Sequence, residues 1–234
     1  MSNAMKPGPK AFISRRALFA LGGAAALAGI GLLTFSFGPA ARAQKTRQGP
    51  QEVAVDELLK PGELPELALG SSDAKVVIVE YASMTCGHCA NFHNKVFPEL
   101  KQKYIETGKV RFILREFPLD NLAAAASMLA RCAGGEKSYP LVGVLFEKQA
   151  EWVVRGNAVP KLFEIAKQAG FTQESFDKCL TDQKLFEQIS AVRARASEKF
   201  GVNSTPTFFV NGKRLSGGSA IGDFDQAIEP LLKS

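Results

Sequence analysis

The sequence contains few of the residues from which metal and haem sites are usually built. It includes only two histidines, His88 and His93, and four cysteines. Cys86 and Cys89 could supply two of the four ligands of a zinc site. No further cysteine or histidine pair stands at zinc-finger spacing from them, so this interpretation is not favoured. A c-type haem would need a histidine directly after Cys89, where Ala90 stands. The sequence therefore predicts no metal and no cofactor.

Strong charge is also lacking once the N-terminus is set aside. The formal net charge is +6, but residues 1–43 hold five basic side chains and no acid, so about +1 remains for the rest. We therefore infer no nucleic-acid binding from the basic composition. Internal repeats are absent as well, and the remaining roughly 190 residues are the size of one domain with an embellishment.

The first 43 residues have the features of an export signal. Residues 1–5 resemble an expression-tag remnant, and basic residues then precede an apolar stretch over residues 17–38. Ala41-Arg42-Ala43 places small residues where a signal peptidase reads. Ser14-Arg15-Arg16 resembles the twin-arginine export pattern. The sequence predicts export to the periplasm, with an uncleaved membrane anchor as the alternative because the apolar run is near twenty residues long.

After the signal we predict a tether over residues 44–73 and a domain over 74–234. The tether is polar and proline-containing, with a short helix around 53–60 and an edge strand at 67–69. The apolar, β-branched runs Val76–Ala82 and Val110–Phe117 are typical of buried strands. An apolar stripe at helical spacing lies between them, and Pro98 should kink that helix. Strand, helix and strand together predict a βαβ unit with parallel strands.

Residues 121–200 contain no convincing strand pattern and predict an all-helical insertion. Cys132 and Cys179 both lie in it. In an exported protein, two further cysteines favour a second, structural disulfide, with two buried free thiols as the alternative. The predicted helices span residues 123–132, 139–152, 159–169, 173–180 and 183–199.

The sheet resumes after the insertion. Thr207–Val210 predicts a strand, and Asn211-Gly212 is a preferred two-residue turn that would pair residues 213–215 back antiparallel. A helix over residues 221–232 closes the chain. Thr205-Pro206 stands at the entrance of the strand, where a proline is tolerated and a cis peptide bond can occur.

Cys86-Gly87-His88-Cys89 lies where the first strand gives way to the helix. The first sulfur would then sit at a helix N-terminus, where free backbone N–H groups and the helix dipole favour a thiolate. Cys89 is within reach to form a disulfide, and His88 can add positive charge or donate a hydrogen bond. We interpret the motif as a redox-active dithiol, with Cys89 resolving what Cys86 captures. The alternative is a structural disulfide, although closing so small a loop gains little.

Glu80 interrupts the strand that precedes this motif. A carboxylate is costly to bury, so a buried one usually needs a partner. One interpretation is that Glu80 accepts or donates the proton of a buried Cys89. The other is a strand-edge carboxylate paired with a lysine.

These motifs together resemble the DsbA-like family of exported thiol–disulfide oxidoreductases in the thioredoxin superfamily. The resemblance covers about residues 67–232 and rests on Cys86-Gly87-His88-Cys89, Arg115-Glu116-Phe117-Pro118-Leu119-Asp120, Ala130-Arg131-Cys132-Ala133 and Thr205-Pro206-Thr207-Phe208-Phe209. It implies an α/β thioredoxin fold with the helical insertion between the βαβ half and a C-terminal ββα half. It also implies an exposed nucleophile at Cys86, a buried partner at Cys89, a buried acid at Glu80, and a cis Thr205-Pro206 bond that faces the sulfurs.

The resemblance implies that the protein introduces disulfides into exported proteins. Its partners would be unfolded or reduced exported proteins and a membrane redox protein that recycles the dithiol. The Gly-His dipeptide and the threonine before proline are more typical of isomerases or reductases than of the best-known oxidase. We therefore expect a reduction potential between about −180 mV, as in protein disulfide isomerase, and about −120 mV, as in DsbA. A disulfide isomerase or reductase, and a thiol-based chaperone or metal-binding protein, are the alternatives.

Overall fold

The computed structural model describes residues 49–233, so the predicted export signal and residues 44–48 lie outside the described residues. Within that range, no helix is both long enough and apolar enough to cross a bilayer. The elements are α1 (Val55–Leu59), β1 (Leu67–Leu69), β2 (Val76–Ala82), α2 (Gly87–Asn91), α3 (Phe97–Leu100), β3 (Val110–Glu116), α4 (Asn121–Cys132), α5 (Ser138–Glu147), α6 (Gln149–Trp152), α7 (Ala158–Gln168), α8 (Gln173–Leu180), α9 (Gln183–Phe200), β4 (Thr207–Val210), β5 (Lys213–Arg214) and α10 (Ile221–Lys233).

The strands form one five-stranded sheet in the order β1-β3-β2-β4-β5. β2 pairs parallel with β3 and antiparallel with β4, while β1 and β5 are antiparallel edge strands. The turn between β4 and β5 has positive φ at Asn211 (44°) and Gly212 (82°), as the Asn-Gly sequence predicts. This is the thioredoxin fold that the resemblance implied, with the helical insertion between β3 and β4.

The sheet separates a large core from a small one. Because side chains alternate along a strand, Ile78, Glu80 and Ala82 of β2 share the face that carries α2. The large core on that face includes Cys86 and Cys89. The small core on the opposite face consists of Leu58, Val79, Tyr81, Ile113, Phe117, Ala196, Phe200, Val202 and Phe209.

Helical backbone continues from Gly87 to Ile105. One π-helical segment, Phe92–Val96, precedes α3, and another, Lys101–Ile105, follows it. Pro98 lies in the first turn of α3 and cannot donate a backbone hydrogen bond. The sequence predicted a kink there. The helix accommodates the proline by a wider turn, in which the Phe97 N–H donates to the Phe92 carbonyl.

The insertion is all-helical, as predicted, but the expected helix over residues 139–152 is divided. The backbone of Lys148 leaves the helical region, with φ −94° and ψ 15°, and α6 begins at Gln149. Side-chain caps start three of the other helices: Asp120 caps α4, Thr172 caps α8 and Asp182 caps α9.

A disulfide joins Cys132 at the end of α4 to Cys179 in α8, 47 positions further along the chain. The alternative of two free thiols is therefore wrong. Closing a loop of that length restricts the unfolded chain by an entropy worth about 4 kcal/mol.

We expect the double variant Cys132→Ala, Cys179→Ala to lose about 4 kcal/mol of unfolding free energy, because the loop is no longer closed. Urea unfolding at constant pH would measure the loss. The single variant Cys132→Ala is the control, since it breaks the same bond and should fall close to the double variant. A double variant as stable as the unaltered protein would contradict the prediction.

The segment that precedes β1 lies against the domain from Gly49 onward, whereas the sequence suggested a tether. Leu58 of α1 is only 1% exposed, and the Val53 N–H donates to the Gly212 carbonyl (2.9 Å). Four arginines donate to backbone carbonyls of the segment: Arg115 to Leu58, Arg131 to Pro65, Arg195 to Glu57 and Lys60, and Arg214 to Pro50.

Candidate active site

Cys86 occupies the N-cap of α2, as its position between strand and helix predicted. Its backbone is extended, with φ −80° and ψ 117°, and its carbonyl accepts a hydrogen bond from the Ala90 N–H (3.1 Å). The N–H groups of His88 and Cys89 are directed toward the Cys86 sulfur. The sulfur therefore lies in the group of free donors at which a helix begins.

The two motif cysteines are not joined to each other, and they differ in exposure. Cys89 is fully buried, as the resemblance implied, whereas Cys86 is 9% exposed rather than openly accessible. Cys86 is less exposed than the resemblance implied because the loop before β4 covers it. When it is protonated, the Cys86 thiol donates to the Thr205 carbonyl at 3.3 Å, so this loop lies directly beside the sulfur.

The environment separates the pKa values of the two thiols. The hydrogen bond from the Cys89 thiol lowers the pKa of Cys86 to about 5, helped by the Thr205 side chain and the two backbone N–H groups, while burial opposes the shift. Burial raises the pKa of Cys89 far above its ordinary value, and the charges of Glu80 and Cys86 raise it further. Near neutral pH, Cys86 is a thiolate and Cys89 is a thiol.

The peptide bond between Thr205 and Pro206 is cis and faces the dithiol through the Thr205 carbonyl. The Thr205 hydroxyl is buried and has no hydrogen-bond partner among the described residues. Its side chain lowers the pKa of Cys86. Residue 205 thus contributes both its backbone and its side chain to the surroundings of the sulfur.

Replacement of Thr205 with valine should raise the pKa of Cys86 by about one unit, because the Thr205 side chain lowers that pKa and valine keeps its shape without the hydroxyl. The reduced form would lose stability, and the reduction potential should fall by about 30 mV. Thiolate absorbance near 240 nm against pH would measure the first effect, and equilibration with glutathione the second. Thr205→Ser is the control that keeps the hydroxyl. A valine variant with an unchanged pKa would contradict the assignment.

Glu80 is fully buried on the face of the sheet that carries Cys89. Its partner is His93, with Glu80 Oε2 and His93 Nε2 2.8 Å apart, so the alternative of a lysine partner is wrong. A histidine four residues after Cys89 shares its helix face, a spacing that would have indicated the contact. The side chain of His88 is exposed and makes no hydrogen bond among the described residues, so His88 contributes its backbone N–H.

The helical insertion supports the loop that carries Cys86. Gln149 Nε2 donates to the carbonyls of Met84 (2.8 Å) and Cys86 (3.1 Å), and the Thr85 hydroxyl donates to Asp120 (2.7 Å). Sequence reasoning missed these contacts because they join residues far apart along the chain.

Across residues 49–233, no cluster of three or more histidine, cysteine or acidic side chains is arranged to hold a metal ion. The dithiol lies beside the Glu80–His93 pair, but these groups do not converge on one point.

Comparison with known proteins places this arrangement in a family. The family model described as thioredoxin matches residues 63–230, a range that holds the dithiol, Glu80, the insertion and the cis bond. The chain is a DsbA-like member of the thioredoxin superfamily. The crystal structure of Wolbachia pipientis alpha-DsbA1 is similar to it, with a TM-score of 0.71, 32% identity, and coverage of 77% of this chain and 96% of that one.

Two curated relatives of this DsbA-like protein are also similar in sequence. The "Putative protein-disulfide oxidoreductase" of Rickettsia bellii is 39% identical over 168 residues, which cover 70% of this chain and 65% of that protein. The "Disulfide bond formation protein D" of Bacillus subtilis is 27% identical over 197 residues, which cover 81% of this chain and 85% of that protein. The chain thus spans about two thirds or less of the rickettsial relatives that it matches.

Proposed function

We propose that the protein is an exported protein-disulfide oxidoreductase that introduces disulfides into reduced or unfolded proteins in the periplasm. The observation that carries the proposal is the pair of unlike thiols, a Cys86 with its pKa lowered to about 5 beside a buried Cys89 whose pKa is raised. A thiol with a low pKa is a good leaving group and stabilises the reduced protein, which makes the oxidised form oxidising. The curated relatives named for disulfide chemistry support the same activity.

The reaction begins with the Cys86–Cys89 disulfide. A substrate thiolate attacks the Cys86 sulfur, the bond between the two cysteines breaks, and its electron pair leaves on Cys89, which takes up a proton. The second substrate thiolate then attacks the substrate sulfur of the mixed disulfide. The substrate leaves oxidised, and the electron pair of the broken bond stays on Cys86 as a thiolate. Two electrons pass from the substrate to the dithiol, and a membrane redox partner would remove them.

Each site residue has a role in this scheme. Cys86 is the attacked sulfur and Cys89 the resolving one, while Glu80 takes or gives the proton of Cys89. His88 contributes its backbone N–H at the sulfur. Thr205 and Pro206 would bind the substrate, which lies extended beside the loop and borrows its backbone groups as an added strand.

The opposite direction, isomerisation or reduction, needs the dithiol to be kept reduced. Oxidation is favoured by the lowered pKa of Cys86, which stabilises the reduced dithiol and so makes the disulfide form oxidising.

Refolding of ribonuclease separates the two directions. We expect rapid oxidation of reduced ribonuclease, slow repair of scrambled ribonuclease, and a potential between about −180 and −120 mV. A potential near the thioredoxin value of about −270 mV would contradict the oxidase proposal. Alkylation trapping in cells should find Cys86 and Cys89 mainly disulfide-bonded, whereas a reductase would be found mainly reduced.

A further inference from the structure

Three polar side chains lie in the interior beneath Cys89. Glu80 is 0% exposed and His93 7%, and the hydroxyl of Tyr139 is buried although its ring reaches the surface. Interiors rarely hold such groups without partners. The proposed reaction uses Glu80 but leaves His93 and Tyr139 without a role.

Aromatic rings hold His93 in one orientation. Its imidazole stacks on Phe146, with centroids 4.3 Å apart and planes 14° apart, and it packs against Phe97 and Phe92 at 5.1 Å each. The ring therefore keeps Nε2 on Glu80 Oε2. A carboxyl oxygen and an imidazole nitrogen in such contact are joined by one hydrogen atom, which either of them can carry.

Two oxygen atoms in the same interior have no partner among the described residues: Glu80 Oε1 and the Tyr139 hydroxyl. The charge of Glu80 raises the pKa of Tyr139, although burial raises it more, so the two groups are within electrostatic reach. Buried polar groups of this kind are commonly bridged by water. Tyr139 also lines an open pocket together with Leu69, Lys101 and Glu136, so its ring stands between the interior and solvent.

The other groups that face this interior do not supply a competing proton. Titratable side chains come from β2 (Glu80), from the helix after it (Cys86, Cys89, His93) and from α5 (Tyr139). Phe92, which packs against His93, is in turn in contact with Phe112 of β3, Phe208 of β4 and Phe224 of α10, none of which carries a titratable proton.

We propose that Glu80 passes a proton to Cys89 and takes it back, and that His93 positions Glu80 for this transfer. Tyr139 and a bridging water exchange the proton with solvent through the open pocket. The inference rests on the proposed function. When the disulfide is reduced, the electron pair of the broken bond goes to Cys89, and the relay delivers the proton that converts it to a thiol. When the disulfide re-forms, the same proton returns to Glu80. His93 and Tyr139 are positioning residues, since neither touches the sulfurs.

The test compares His93→Gln and Tyr139→Phe with the unaltered protein. Glutamine still hydrogen-bonds Glu80 but carries no titratable proton, and phenylalanine removes only the hydroxyl. The matched control is Tyr104→Phe, because the Tyr104 hydroxyl donates to Asp225 on α10 (2.6 Å) and faces no site residue. Reduction of each oxidised protein by dithiothreitol would be timed from pH 5 to 9 by acid quench and alkylation.

We expect His93→Gln to slow reduction by about tenfold or more, since general acid–base catalysis contributes at least that much. Tyr139→Phe should fall between this variant and the control. The loss should grow as pH rises, because solvent protons become scarce, while the pKa of Cys86 measured by absorbance stays unchanged. A purely structural role would lower the melting temperature and leave the ratio of variant to wild-type rates independent of pH.

Two results would overturn the relay. One is that both variants react at the wild-type rate at every pH. The other is that, where His93→Gln does not fold, Tyr139→Phe matches Tyr104→Phe and the wild-type protein has no solvent isotope effect. If the unaltered oxidised protein fails to react with dithiothreitol at all, the proposed function itself is refuted.

Discussion

Replacement of Cys86 with serine is expected to abolish disulfide exchange, because the serine hydroxyl cannot form a disulfide bond with Cys89 or with a substrate thiol. No other cysteine can substitute for it. Cys89 is fully buried with a raised pKa, and Cys132 and Cys179 are bonded to each other. The oxidation of a reduced peptide with two cysteines, followed by mass spectrometry, measures the loss.

The partner variant Cys89→Ser makes this prediction more specific. It keeps the Cys86 thiolate but removes the resolving thiol, so mixed disulfides should accumulate with substrates and be released by reductant. The double variant Cys132→Ala, Cys179→Ala should oxidise the peptide at the normal rate while it folds. Residual exchange in Cys86→Ser, or no trapped complex in Cys89→Ser, would contradict the assignment of the two sulfurs.

The reduced protein should gain stability relative to the oxidised protein as pH rises from 5 to 7. The pKa of Cys86 is lowered from its ordinary value of 9.0 to about 5 in the folded state. A group with a depressed pKa stabilises the fold above its unfolded pKa, and that stabilisation is lost as pH falls through the folded value. The contribution is about 3 kcal/mol at pH 7 and less than about 1 kcal/mol at pH 5.

Urea unfolding of both redox forms at the two pH values measures this difference. The Cys132→Ala, Cys179→Ala background is needed, because the reductant would otherwise open the second disulfide as well. Groups whose titration is the same in both redox forms cancel, and Cys89 does not ionise in this range because its pKa is raised. A difference between the redox forms that does not change with pH would show that Cys86 is protonated in the folded protein.

Local patterns predicted most of the fold. The strands β2, β3 and β4 follow from short apolar runs, and the Asn211-Gly212 turn follows from the backbone angles that these residues tolerate. The inward face of Glu80 follows from the two-residue period of a strand. The place of Cys86 at a helix start follows from the change of period after β2.

What local patterns could not predict are the contacts between distant segments. Gln149 reaches Met84 and Cys86 across more than sixty residues, and a glutamine on a short helix has no sequence feature that indicates such a contact. The partial cover over Cys86 depends on the loop before β4, whose Thr205 carbonyl lies 3.3 Å from the Cys86 sulfur although the two residues are far apart in sequence. The contact of His93 with Glu80 likewise joins a helix to a strand, although the spacing of His93 from Cys89 indicates the helix face that they share.

The division of the interior by the sheet has a consequence for how this protein can change over evolutionary time. Cys86 and Cys89 belong to the large core on one side of the sheet, whereas the small core around Val79, Tyr81 and Phe209 lies on the other. Mutations in the small core can therefore change the thermal stability and the cellular lifetime of the protein while the reduction potential of the dithiol stays constant. Related proteins from warm and cool habitats could share one redox chemistry and differ only in the residues of the small core.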